Sequence, residues 1–147
     1  MVEMALMMVI LLTILSAVLD LGRGFFVYIA IQNSAAEGAL YAAMNPTCAH
    51  STDTGLYGAS CADPNNTDYR AKHESSDGLV DSTRMTVVVL YSNATSNYSA
   101  ANIVEGNPIT VTIGYSFTMV GPFSGVFPNG VLMFEARATQ NILDLKK

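Results

Sequence analysis

Charge is scarce in this sequence. Asp, Glu, Lys and Arg make up 13% of its residues, against the quarter or so usual in soluble domains. Cations are the scarcer kind: seven Lys and Arg face twelve Asp and Glu, for a formal net charge of −5. Such a chain has no electrostatic footprint for nucleic acid, which is excluded as a partner. No Lys or Arg precedes position 23, so the opening lacks the basic n-region of a secretory signal peptide. Signatures of chemistry are missing too. There is no G-x-S-x-G, no P-loop, and no nucleophile paired with a base at a recognisable spacing. The two histidines, His50 and His73, stand in polar stretches. Several aspartates (Asp53, Asp63, Asp68, Asp77 and Asp81) lie in the same region without D-x-D-x-D-G spacing. No catalytic residue, cofactor or metal site is expected, and the chain does not read as an enzyme.

What is present is hydrophobicity, half of all residues, concentrated in the first 31. After Glu3 come sixteen uncharged residues, MALMMVILLTILSAVL. Leu, Met, Ala and Ile favour a helix, and Thr13 and Ser16 can bond back to its backbone. Sixteen helical residues span about 24 Å, short of the roughly 30 Å hydrocarbon core of a bilayer. Asp20 and Arg23 follow at i,i+3, a spacing that lets them meet on one face. Gly22 and Gly24 flank the arginine and permit either local unwinding or close helix approach. Helical character resumes in FFVYIAIQNSAAEGALYAA. Phe25, Ile29, Gln32, Ala36, Leu40 and Ala43 recur at threes and fours, as a packing stripe would. Asn45-Pro46 ends the helix, since a residue before proline is turned away from helical geometry.

Residues 45–83 are rich in Gly, Pro, Asn, Asp and Ser, which predicts loops with one short helix. Cys48 and Cys61 lie there. Thirteen residues apart, they suit a disulfide and hence an extracytoplasmic compartment. A zinc site would need further ligands at a spacing that is absent. Three strand-like runs follow, at 84–92, 108–119 and 130–143. The middle one alternates cleanly: Ile109, Val111, Ile113, Tyr115, Phe117 and Met119 share one face. The fold expected is α+β: a long hydrophobic helix whose second half covers an antiparallel sheet. A membrane or core segment, 1–24, would adjoin a head, 25–147. Asn65, Asn93 and Asn97 begin N-x-S/T sequons and are possible glycosylation sites.

An apolar helix with an early glutamate, running into a sheet-bearing head, resembles a type IV pilin-like subunit. More narrowly, Val2, Glu3, Ala5 and Leu6, then Asp20-Leu21-Gly22-Arg23, then Ala35-Ala36-Glu37-Gly38-Ala39-Leu40-Tyr41-Ala42-Ala43 resemble the start of TadE-like proteins of the tight-adherence (Tad) pilus system. The closing runs, ITVTIGYSFTMVGPF and VLMFEARATQNI, are similar more weakly; the middle is not covered. The resemblance implies a structural pilin that forms a homo-oligomeric helical filament for surface attachment. Its precursor would sit in the inner membrane, meet a prepilin peptidase and the assembly machinery, and end at the cell surface. It also implies a partner for Glu3, the N-terminal ammonium of a neighbouring subunit, so that Met1, Glu3, Asp20 and Arg23 would serve assembly. Two features depart from the pattern: the basic leader is absent, and Glu3 stands nearer the first residue than expected. The alternatives are a minor pseudopilin that primes or tips such a filament, and a single-pass envelope protein with a ligand-binding head.

Overall fold

A computed structural model of the chain describes residues 2–74, 80–91, 103–121, 124–125 and 127–143. One helix, α1, runs from Val2 to Met44. Nothing between these ends breaks it: there is no proline, and both early glycines stay helical. Thr13 donates its hydroxyl to the Val9 carbonyl at 2.8 Å, which keeps that polar group satisfied in an apolar stretch. At the other end Asn45 N–H bonds the Tyr41 carbonyl, and Pro46 turns the chain away. The Pro46 carbonyl accepts the buried Tyr91 hydroxyl at 2.7 Å.

Residues 45–66 form loops stapled by the Cys48–Cys61 disulfide, with Cα atoms 5.2 Å apart. They lead into a second helix, α2, Thr67–Glu74. Asn66 starts it: its side-chain oxygen accepts the Tyr69 N–H, while its amide donates to the Cys61 carbonyl and Asp63. An asparagine placed before the first turn satisfies donors that the helix itself leaves open. The Cys48 carbonyl takes both the N–H and the hydroxyl of Thr67, which ties the disulfide loop to α2.

Three strands follow: β1 Met85–Tyr91, β2 Pro108–Thr118 and β3 Val131–Asn141. They pair antiparallel in the order β1-β2-β3, with Val87 opposite Ile113 and Val111 opposite Ala138. The central strand alternates as its sequence predicts, with Ile109, Val111, Ile113, Tyr115 and Phe117 buried and the residues between them half-buried. Met119 lies just beyond the strand and is half-buried. After β3, Ile142 is buried and Leu143 N–H bonds the Ala43 carbonyl, tying the end of the sheet to the end of α1.

The second half of α1 covers the sheet, as expected, but with a different stripe. The buried positions are Gly24, Val27, Ile31, Ser34, Ala35, Gly38, Ala39, Ala42 and Ala43. Of the predicted stripe, Ala43 is buried and Gln32 is half-buried. Phe25, Ile29, Ala36 and Leu40 are exposed. The reason is steric. The inner face of β2 carries Ile, Val, Tyr and Phe, so the helix must offer small residues to approach closely. A Cβ on Gly38 would lie 3.0 Å from the Ala71 Cβ and 3.2 Å from a Val111 methyl, tighter than ordinary packing allows. Ala and Gly positions therefore face the sheet beside Val27 and Ile31, and Phe25, Ile29 and Leu40 are left on the outer side.

Candidate functional site

The candidate features gather around α1, in two places. The first is its N-terminal half. The most apolar 18-residue window has a mean hydropathy of 2.5, and none of it is buried within the chain. By length and composition the helix can cross a membrane. Glu3 lies near the head of this surface and is exposed. Among the described residues none forms an ion pair with it. Met1 lies outside the described residues. The apolar surface does not stop where the head begins. Phe25, Phe26 and Ile29 extend it onto the head, and Leu40 and Met44 are exposed further along α1, beyond exposed Asn33.

The second place is the junction of helix and head. Asp20 is 8% exposed. One carboxylate oxygen accepts the Gly121 N–H at 2.6 Å; the other lies 3.7 Å from an Arg23 guanidinium nitrogen. The expected Asp20–Arg23 pair thus forms, within a wider arrangement. The Arg23 guanidinium also sits 5.7 Å from the centroid of the Phe117 ring, a cation–π distance. Gly121 follows β2, where the chain leaves the sheet. Its missing side chain matters, because a Cβ there would collide with the Asp20 carboxylate and lie 2.9 Å from the Ser16 hydroxyl. Gly24 serves close approach of another kind, as a Cβ would sit 3.5 Å from the Phe134 ring and 3.7 Å from Phe117. Gly22 faces open space, and α1 is unbroken through both.

Arg84 completes the junction. It lies at the end of a short 3-10 turn, Ser82–Arg84, and donates to the Thr118 hydroxyl at 2.9 Å. Asp81 caps that turn. Hydrogen bonds from the Thr83 hydroxyl and N–H, with a smaller pull from Arg84, hold its carboxyl below the usual range. In the head, burial raises the Tyr41 phenol, opposed by Arg70 across its ring.

The other sequence candidates are dispersed. Cys48 and Cys61 form the expected bridge. Asn65 is exposed at the start of α2, but the Thr67 hydroxyl of its sequon is engaged with Cys48. Asn93 and Asn97 lie outside the described residues. Among the described residues no three His, Cys, Asp or Glu side chains are grouped to hold a metal ion. The sequence reading missed Gly121 and Arg84. The only hint was a glycine a few residues after a well-patterned strand, and no local spacing links it to an aspartate 101 residues earlier.

Comparison with known proteins adds one finding. Residues 1–40 match the family model described as TadE-like protein. No curated protein and no solved structure matches the chain significantly. The match covers the apolar run, Glu3 and the Asp20–Arg23 element, and stops short of the sheet.

Proposed function

We propose, from the TadE-like character of residues 1–40, that this protein belongs to a Tad pilus and is a structural pilin. It would polymerise through α1 into an extracellular filament that attaches the cell to surfaces. In this reading residues 1–24 form the membrane and filament-core segment, and residues 25–147 the head. Before assembly the helix resides in the inner membrane, where a prepilin peptidase and the assembly machinery act on the subunit.

The observation that carries the reading is the unburied apolar length of α1. Outside lipid, its own chain gives that surface no cover. At roughly 25 cal/mol per Å² of apolar area, burying several Leu, Ile, Val and Met side chains is worth more than about ten kcal/mol per subunit, before ordering costs. Neighbouring copies of the same helix supply such burial, and a head-to-tail contact that does not close yields a helical fibre. Phe25, Phe26 and Ile29 extend the same surface onto the head.

Glu3 supports the reading by its cost. A carboxylate in hydrocarbon is unfavourable unless an opposite charge accompanies it. A neighbour's N-terminal ammonium would neutralise it and fix the axial register between subunits, since a pair of this kind contributes specificity more than net stability. Replacing Glu3 with Ala would leave the ammonium unpaired, at a cost of about 3–5 kcal/mol per contact. Glu3→Ala subunits should therefore enter the membrane normally yet yield about a hundredfold less filament, or lower still. Fractionation of membranes and sheared filaments from cells carrying the variant reads both quantities. Wild-type amounts of filament would refute the role given to Glu3.

A further inference from the structure

The junction holds a cavity of about 330 Å³, lined in part by Arg23, Arg84, Thr118 and Val120. We infer that this cavity binds the phosphate of an anionic membrane phospholipid, so that the foot of the head grips the headgroup layer while the subunit is membrane-inserted. The inference rests on the membrane-stage reading above and adds a ligand site to it.

Position comes first. Asp20 and Arg23 are the first charged residues after the sixteen-residue apolar run, so they lie where a membrane-spanning helix leaves hydrocarbon for the headgroup layer. The loop after β2 is held at the same level by the hydrogen bond from Gly121 N–H to Asp20. Just before Gly121, Val120 is 74% exposed and lines the cavity. An apolar side chain fixed at that height suits the acyl boundary, while guanidiniums beside it suit the phosphates.

Charge comes second. The five Lys and Arg among the described residues are Arg23, Arg70, Lys72, Arg84 and Arg137, and two of them line this one cavity. Both arginine side chains are about half exposed, at 54% and 49%. Each faces an acid, Asp20 for Arg23 and Asp81 for Arg84, and both ion pairs are long at 3.7 Å. Arg84 spends one further donor on Thr118, and Arg23 lies over the Phe117 ring. A guanidinium carries five donors in a planar fork, so both retain donors for phosphate oxygens, which they take two at a time.

The test uses the full chain in nanodiscs of mixed phosphatidylglycerol and phosphatidylcholine, followed by native mass spectrometry of the lipid retained after release. The wild type should retain phosphatidylglycerol preferentially. Arg23→Gln with Arg84→Gln should lower that preference about tenfold or more. Val120→Asp, which keeps both arginines but places a carboxylate at the mouth, should lower it too. Millimolar inorganic phosphate should not displace the lipid. The inference is overturned by a wild type that shows no headgroup preference, by a double variant that keeps it, or by displacement with free phosphate. Flotation with vesicles separates the two levels. A chain that fails to float overturns the membrane-stage reading and this inference with it. A chain that floats without headgroup preference overturns the inference alone.

Discussion

Deleting residues 1–24 is expected to leave a soluble monomeric head, if α1 drives assembly as proposed. The deleted segment carries the large exposed apolar side chains from Val2 to Leu21 and contributes little to the packed core. The core begins further on, with Val27, Ile31, Ala35 and Ala39 against Ile109, Val111 and Ile113. Three junction features leave with it: the Asp20–Gly121 hydrogen bond, the Arg23–Phe117 contact and the Gly24 approach to Phe134. The first is charge-assisted and partly buried, so its loss should cost the head about 1.5–3 kcal/mol. The gain in solubility is far larger, because more than about ten kcal/mol of unsatisfied apolar burial per subunit disappears. Sedimentation velocity at micromolar concentration should show one monomeric species with an intact sheet by circular dichroism. A truncated head that still polymerised into the same fibre would remove α1 from its place in assembly.

Replacing Cys48 and Cys61 together with Ala should destabilise that head by about 3 kcal/mol, the cost expected when a loop of this length is no longer closed in the unfolded chain. The effect should be felt beyond the loop. The Cys48 carbonyl anchors Thr67 twice, and α2 in turn places Ala71 against Gly38 of α1. Loosening the bridge should therefore loosen the α1–α2 contact before the sheet. Urea unfolding of the truncated head, followed by tyrosine fluorescence and by hydrogen exchange over α2, reads both parts. An unchanged urea midpoint would mean that the loop holds its shape without the bridge.

Much of this architecture is written in local patterns. The end of α1 is visible at Asn45-Pro46 because proline acts on its immediate neighbour. The three strands, expected at 84–92, 108–119 and 130–143, are observed at Met85–Tyr91, Pro108–Thr118 and Val131–Asn141. In β2 the alternation names the buried face residue by residue, since a strand's period of two leaves no ambiguity. The helix face was harder to read. Residues 25–44 have one side rich in large apolar groups and another rich in Ala and Gly, and periodicity alone favours the larger set. Only packing against Val111, Tyr115 and Phe117 decides that the Ala- and Gly-rich side, with Val27 and Ile31, faces inward. The junction was half legible. Asp20 and Arg23 announce themselves by i,i+3 spacing and by following an uncharged run. Gly121 and Arg84 join them through the tertiary fold, across separations that no window of sequence spans.

The outer side of α1 then acquires a meaning that its own chain does not give it. Phe25, Phe26, Ile29, Leu40 and Met44 are exposed on the head as the side chains of the first half are exposed below it. Polymerisation through α1 would account for both with one surface, and for a head whose apolar core is complete without them.

Helical reconstruction of the purified fibre by electron cryomicroscopy tests this most directly. The account predicts a core of packed α1 helices from neighbouring subunits, residues 2–24 innermost, each Glu3 beside a neighbour's N-terminus, and the sheets of residues 85–141 on the outside. A fibre of this chain held together by head-to-head contacts, with residues 2–24 away from the axis, would contradict it.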